Sequence, residues 1–441
     1  MHTERTIAAI ATPVGVGALA IVRMSGPAAQ DVLRACTGRS LQPRRATLVR
    51  VRDAAGRLVD ECVATYFAAP ASFTGEDVIE LSCHGGALVT QLVLERLLAC
   101  GACPAEPGEF SRRAFENGRL DLTQAEAVMD IIQAGSELAL RAAQHQLQGA
   151  ICAPVNAAVD SLLDVAAHVE ASIDFPEEDI SPQTQQQLVG TLDAVCARLQ
   201  KLLSTAERGR FLREGVRTAI VGAPNAGKSS LLNRLAGYDR AIVSATAGTT
   251  RDTVEECISL GGLCLRLIDT AGLRDTADAL EQSGIERTMR AWQAADLVLE
   301  VVDASCPPAP LPEAPTTAPR LLLLNKSDLP EAPAWQAVEG LRISCATGRG
   351  LAELEQAITA LFLSRNGEQD SMAAINTRHR FALQQAVDSL QNARDALQAG
   401  AEPELVSVDL RAALDSLGSI TGRVDTEDIL TRIFSTFCLG K

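Results

Sequence analysis

Residues 216–235 read VRTAIVGAPNAGKSSLLNRL, and this stretch decides the fold. Val216–Val221 is a run of apolar and β-branched residues, the signature of a buried strand. It leads into Gly222-Ala223-Pro224-Asn225-Ala226-Gly227-Lys228-Ser229, which has the spacing G-x-x-x-x-G-K-S, and then into a helical pattern over 230–235. That is the strand–loop–helix context a phosphate-binding loop requires. Glycines let backbone N–H groups face phosphate oxygens, and the helix start adds positive potential. Lys228 is spaced to reach the β- and γ-phosphates, and the Ser229 hydroxyl to ligate Mg²⁺. Asn225, Ala226, Gly227 and Ser230 complete the loop.

Working outward, further matches follow in order. The loop 244–252 reads SATAGTTRD, placing Ser244, Ala245, Thr246, Ala247, Gly248, Thr249 and Thr250 downstream of the first helix. Two strand patterns, 254–260 and 263–268, flank Gly261-Gly262, a two-residue hairpin signal. The second ends in Asp269-Thr270-Ala271-Gly272, where Asp269 suits a metal shell and the Gly272 N–H the γ-phosphate. Leu321 to Leu324 precede Asn325-Lys326-Ser327-Asp328. The Asp328 carboxylate can accept both N–H donors of a guanine edge, which adenine does not present. Ser344-Cys345-Ala346 resembles the backbone loop that meets guanine O6. The base read is therefore guanine. Leu273 stands where Ras-type proteins carry a water-orienting Gln, and no P-loop arginine offers a finger. Charge stabilisation must come from elsewhere, and Asn225 with the 244–250 loop could coordinate a monovalent cation.

At 441 residues the chain exceeds a single core, and 47% hydrophobic with 22% charged residues describes a globular protein. No apolar run approaches the ~20 residues of a membrane helix, and the first 25 residues lack a signal-peptide layout. The expected address is cytoplasmic, with no membrane partner. Twelve scattered cysteines suit reduced thiols. Cys100 and Cys103 form one C-x-x-C without a second pair or nearby His. A net charge of −15 argues against a nucleic-acid-coating surface. The arginine-rich run 201–217 is either a solvated helix face or a local basic patch.

Residues 1–119 alternate short apolar runs (6–11, 18–23, 78–82) with Gly/Pro punctuation and a helix over 87–99, an α+β domain. From Asp121 the period becomes helical. Thr123 and Glu126 are expected to form a capping box, followed by a face of Ala125, Val128, Met129 and Ile132. Val155, Val159, Leu162, Ala166 and Val169, then Leu188, Leu192, Val195, Leu199 and Leu202, continue it. Helical patterning resumes at Leu383, Val387, Leu390 and Leu397, then Leu410, Leu414 and Leu417, and Ile429 and Ile433. The expected architecture is a multidomain α/β chain: an N-terminal α+β domain over 1–119, a helical domain in halves 120–213 and 371–441, and a P-loop GTPase domain, 214–365, inserted between the halves.

With these residues in hand, the chain closely resembles the tRNA-modifying GTPase family known as MnmE or TrmE, over nearly its whole length. The resemblance rests on GAPNAGKSSLLNRLAG, AGTTRD, DTAGLR and NKSD, and outside them on TIAAIATP, SFTGEDVIELSCHGG, AEPGEFSRRAFENGRLDLTQAEAVMDII, IDFPEEDI and FCLGK. It implies a homodimer formed through a folate-binding-like N-terminal domain, and G domains that pair in a K⁺-dependent way to activate hydrolysis. It also implies a flavoprotein partner (MnmG, or GidA), with which the family adds aminomethyl-type groups at C5 of the wobble uridine of certain tRNAs. Carried over by position, Asn225, Ser244, Thr246 and Thr249 match the K⁺ ligands, and Ser229 and Thr250 the Mg²⁺ ligands. Glu281 matches the acid that orients the attacking water, acting with Lys228 and Thr250. Arg23, Glu80, Arg119 and Lys441 match contacts to 5-formyl-tetrahydrofolate. Cys438 matches a near-terminal cysteine with either a chemical or a structural role, and His84 is read as satisfying a turn. Val16 stands where the family commonly has Arg, and Arg119 where Lys is common.

Two other readings stay open at this level. One is a ribosome-assembly GTPase switch that binds rRNA, although no G-x-x-G clamp is evident after residue 370. The other is a folate-dependent aminomethyltransferase with the GTPase as its regulator.

Overall fold

The computed structural model describes residues 5–174, 185–238, 256–268, 293–308, 317–363 and 375–423, with 430, 433, 434, 437, 438 and 440. It divides into two compact units, Met1–Met129 with Asp415–Lys441, and Asp130–Leu414.

The first unit is built on a six-stranded sheet of β1 (Ile7–Ile10), β2 (Leu19–Ser25), β3 (Thr47–Arg52), β4 (Leu58–Phe67), β5 (Val78–His84) and β6 (Cys103–Pro104), in the order β3-β4-β5-β2-β1-β6. Pairing is antiparallel except between β1 and β6. Alternation sorts the faces. Cys62, Ala64 and Tyr66 of β4 and Ile79, Leu81 and Cys83 of β5 join one core, with α1 (Ala29–Thr37) and α2 (Ala87–Ala99) adding Val32, Leu33, Val93 and Leu97. On the other face Ile7 and Ala9 meet Phe110 of α3 (Glu109–Glu116). Arg113 of α3 is fully buried. It donates to Glu109 Oε1 at 2.7 Å, Glu76 Oε2 at 3.1 Å and the Arg5 carbonyl at 2.8 Å, so its charge is paired as burial demands. Phe434 and Phe437 pack with Leu122 and Met129, which seats the chain's C-terminal end in this unit.

The helix α4 (Leu122–Gln133) is capped at Asp121, two residues ahead of the expected cap at Thr123. Asp121 Oδ1 accepts from the Gln124 N–H at 2.9 Å, and Gln124 Oε1 accepts from the Asp121 N–H at 3.0 Å. This is the same reciprocal device, but Asp is the stronger cap, and Thr123 instead donates to Asp121 Oδ1. Ile132 of the expected apolar face is exposed.

In the second unit α5 (Glu137–Leu147), α6 (Cys152–Asp174), α7 (Gln185–Leu203) and α8 (Ala206–Glu214) precede the second sheet. Val155, Val159, Leu162, Val165 and Val169 form the buried stripe of α6, and Leu188, Leu192, Val195, Cys196 and Leu199 that of α7. Glu137–Asp174 is, by length and composition, one run apolar enough to cross a membrane, which corrects the expectation of none. Its apolar content here serves the stripe that α6 packs against α7.

The second sheet contains β7 (Val216–Val221), β8 (Glu256–Leu260), β9 (Leu263–Leu267), β10 (Leu297–Asp303), β11 (Arg320–Asn325) and β12 (Leu341–Arg342), in the order β12-β11-β10-β7-β9-β8. All pairs are parallel except β8–β9. Five of the six β7 residues are buried, as a strand covered on both faces requires. Gly261 and Gly262, at φ +59° and +79°, make the expected two-residue hairpin, a turn that needs positive φ at both positions. Helices α9 (Lys228–Tyr238) and α10 (Leu351–Phe362) add Leu231, Leu235, Leu354 and Ile358 to the core. Beyond them lie α11 (Thr377–Gln398), which packs on α7, and α12 (Pro403–Thr421).

Candidate functional site

An open parallel sheet leaves a crevice at the carboxyl ends of its strands, where the strand order reverses. Here that point is β7, flanked by β9 on one side and β10 on the other. The chain leaves β7 through Gly222, at φ +152°, so close to β10 that a Cβ would lie 2.1 Å from the Val301 carbonyl. Gly227, at φ +103°, leaves its own Cβ position 2.1 Å from Asn325 Nδ2. Asn225 sits at φ 61°, a left-handed conformation that Asn adopts more readily than most residues. The loop is therefore closed by contacts that only glycine permits. Lys228 Nζ donates to the Gly222 and Ala223 carbonyls at 2.8 Å each, and burial lowers the pKa of its ammonium. Ser229 and Ser230 are exposed at the start of α9, and Ala226 is buried.

The segment 325–328, expected to read the base, is bonded directly to this loop. Asn325, at the end of β11, donates from Nδ2 to the Ala226 carbonyl at 2.8 Å and accepts at Oδ1 from the Cys345 N–H at 3.2 Å. Lys326 is at φ 63° and reaches Asp303 Oδ2 at 2.5 Å. Burial alone would raise the Asp303 pKa, but hydrogen bonds from Lys326 and Ser305 outweigh it and hold the carboxyl below its ordinary value. Asp328 is exposed, and its Oδ1 accepts from the Ser344 hydroxyl at 2.5 Å. The turn after Ser344 closes on itself, with the Gly348 N–H on the Ser344 carbonyl at 2.8 Å and the Thr347 N–H on Ser344 Oγ at 3.2 Å. Ala346 is exposed within that turn. Burial raises the pKa of the Cys345 thiol, so it is not a nucleophile poised by its surroundings.

Ser244, Ala245, Thr246, Ala247, Gly248, Thr249, Thr250, Asp269, Thr270, Ala271, Gly272 and Glu281 lie outside the described residues, as does Lys441.

In the first unit the strand register sets Arg23 opposite Glu80. Their ion pair is close, with Arg23 Nε and Nη2 2.9 and 2.8 Å from Glu80 Oε1, while Nη1 reaches the Gly440 carbonyl at 3.2 Å. The guanidinium also lies 5.5 Å from the Phe73 ring and 5.7 Å from the Phe110 ring. Ser25 Oγ, bonded to Thr74 Oγ1 and Glu76 Oε2 at 2.7 Å each, pins the loop that carries Phe73. Arg119 is exposed beside Gly75 in the same loop, its Cγ 3.2 Å from where a Cβ would stand. Cys438 is exposed. His84 bonds through Nδ1 to Asp60 Oδ1 at 2.7 Å, a partner 24 residues away and not one in its own turn.

Sequence reading missed Asp296. It accepts from Arg210 Nη2 at 2.9 Å, Arg217 Nε at 3.0 Å and the Arg217 N–H at 3.1 Å, fastening α8 and β7 to the mouth of β10. Arg213, likewise, pairs with Asp130 at 2.6 Å. Three arginines of the run 201–217 are thus spent on acids of their own unit. The signal available in sequence was an acid directly ahead of the apolar run Leu297–Asp303.

A parallel sheet with a glycine-closed G-x-x-x-x-G-K-S loop after β7, tied through Asn325 to the turn after β12, has the layout of the GTPase class. Two family models match, described as "GTP-binding protein TrmE N-terminus" over residues 6–119 and "MnmE helical domain" over 122–438. Proteins called tRNA modification GTPase MnmE align end to end. That of Akkermansia muciniphila is 59% identical, with 99% of each chain covered. Those of Opitutus terrae and Azoarcus sp. are 45% and 46% identical, over 99% of this chain and 99% and 98% of their own. The chain belongs to the MnmE (TrmE) family. Among solved structures, the G domain of the T. maritima FeoB iron transporter matches 33% of this chain and 96% of its own, at 25% identity and a TM-score of 0.22, a likeness too low to carry an argument.

Proposed function

We propose that this chain hydrolyses GTP to GDP in the service of tRNA modification. The observation that carries the reading is the Asn325 bridge, which joins phosphate loop, base motif and base loop through one side chain. The domain organisation we infer is the inserted one: a G module over 214–365, helical segments 120–213 and 371–441 around it, and residues 1–119 for folate binding and dimerisation.

In the hydrolytic site Lys228 exchanges its loop carbonyls for β- and γ-phosphate oxygens. The backbone of 225–230, 244–250 and 269–272 encloses the phosphates, and Asp328 with the 344–346 loop reads guanine. Ser229 and Thr250 would hold Mg²⁺, and Asn225, Ser244, Thr246 and Thr249 would hold K⁺. These cations, when bound, neutralise charge that develops on the phosphate oxygens. The exposed side chain of Asn225 and the glycine-only closure of the loop suit that arrangement. Leu273 cannot orient water; Glu281, at the position of the family's water-orienting acid, would take that role by resemblance, and a second G module would complete the site. With a flavoprotein partner, MnmG, the chain adds a carboxymethylaminomethyl- or aminomethyl-type group at C5 of the wobble uridine. Arg23, Glu80, Arg119 and Lys441 would hold a 5-formyl-tetrahydrofolate-like donor; the Arg23 guanidinium, 5.5 and 5.7 Å from the Phe73 and Phe110 rings, suits an anionic group of such a donor.

The test is GTP turnover by the full chain in matched K⁺ and Na⁺ buffers. A rise of several-fold in K⁺ supports the reading, and equal rates remove the cation mechanism.

A further inference from the structure

Behind the base loop lies a residue to which the motifs assign no role. Arg234 stands on α9, six residues after Lys228, and projects its guanidinium against the turn that follows Ser344. A Cβ on Gly348 would lie 2.6 Å from Arg234 Nη2 and 3.5 Å from Cζ and Nε. Gly348 itself is at φ +87°, so a side chain there would be strained in its backbone as well as pressed on that group. Arg234 Nε is buried without a hydrogen-bond partner among the described residues. The same guanidinium lies near enough to Cys345 to favour its thiolate, against the larger effect of burial.

The two halves of the base site are anchored differently. Ser344, which bonds Asp328, is fixed from the sheet: the Ile343 N–H bonds the Leu324 carbonyl at 2.9 Å and the Ser327 N–H bonds the Ile343 carbonyl at 3.1 Å. The stretch 345–348 is tied to the sheet only at the Cys345 N–H, through Asn325, and turns back on Ser344 through the Thr347 and Gly348 N–H groups; on the side of α9 it meets Arg234 at Gly348. We propose that Arg234 is a positioning residue for guanine selectivity, a brace from the P-loop helix that holds the 345–346 backbone at the height needed to meet guanine O6. The proposal rests on the reading of 344–346 as the O6-facing loop. It separates two parts of base recognition: Arg234 governs O6, and Asp328 governs the N1 and 2-amino edge.

The test uses the full chain with Mg²⁺ and three nucleotides: GTP, 6-thio-GTP, which keeps the N1 proton and the 2-amino group but has a weakly accepting sulfur in place of O6, and ITP, which lacks the 2-amino group. Competition against a fluorescent GDP analogue gives the affinities. In R234A the preference for GTP over 6-thio-GTP should fall ~2- to 10-fold, the loss of one neutral hydrogen bond, while the preference over ITP holds. R234K keeps the charge but not the breadth of the guanidinium, and should show the same narrowing; it carries the test should R234A fail to fold. An unchanged O6 preference in the folded variant, or a parallel fall in both preferences, overturns the proposal. A wild-type chain indifferent to O6 overturns instead the reading of the base loop on which it rests.

Discussion

Asn325 Nδ2 bonds the Ala226 carbonyl at 2.8 Å, across 99 residues of sequence. Because Asn325 Oδ1 also receives the Cys345 N–H, a single buried side chain sets the distance between phosphate loop and base loop. Asn325→Ala strands a buried carbonyl and an N–H, at about 1–3 kcal/mol for each group left unsatisfied. The affinity for GDP, measured with a fluorescent analogue, should fall roughly 10-fold or more. A change within twofold would mean that the bridge is ornamental.

Asp328 makes a qualitative prediction. A carboxylate accepts the N1 and 2-amino protons of guanine, whereas an amide can donate to the 2-oxo group of xanthine. Asp328→Asn should therefore weaken GTP binding by about 10-fold or more and improve XTP binding, the swing expected when a polar partner is mismatched. Competition binding with both nucleotides checks this, and loss of both together would point to damage at Ser344, which shares the Asp328 carboxylate.

Asp296 predicts a pH dependence. Burial would raise its pKa, but bonds from Arg217 and Arg210 prevail and hold it below the ordinary aspartate value. A depressed folded pKa means stability that is fully present above the unfolded value, near 3.9, and lost as pH falls through the folded one. Asp296→Asn should lower the thermal transition that GDP raises, and the gap to wild type should be constant from pH 7 to pH 5 and close below about pH 4. A gap that widens on acidification contradicts the clamp.

The sequence made some of this plain and hid the rest for physical reasons. β7, the P-loop and α9 are contiguous, so their spacing alone carries them, and Gly261-Gly262 specifies its hairpin locally. The cap of α4 lies two residues ahead of the Thr123 that the pattern suggests, because Asp121-Gln124 and Thr123-Glu126 satisfy the same pattern and only the bonds tell them apart. Asp296 and its partners are 79 and 86 residues apart, and no periodicity connects them. Arg23 and Glu80 could be picked out only through resemblance, since their pairing depends on the register of β2 against β5. Arg234 carries no signal beyond its place in an amphipathic helix; its role is visible only from what Gly348 would meet.

Arg23 offers a test of the N-terminal unit that is independent of the nucleotide site. Arg23→Ala removes the group that joins Glu80, Phe73, Phe110 and the Gly440 carbonyl. Calorimetry with 5-formyl-tetrahydrofolate should show binding to the wild-type chain and none to the variant, with GTP turnover within twofold of wild type. Absence of folate binding by the intact wild-type chain would withdraw the folate assignment of Arg23, Glu80, Arg119 and Lys441 together.

The claim that a GTP-driven module serves tRNA modification is tested most directly by mass analysis of tRNA nucleosides. Cells lacking this chain are compared with the same cells carrying the wild-type chain or Asn325→Ala. Wobble uridines without their C5 group in the deletion, restored by wild type and not by Asn325→Ala, are the predicted result. Fully modified wobble uridines in cells lacking the chain would contradict it.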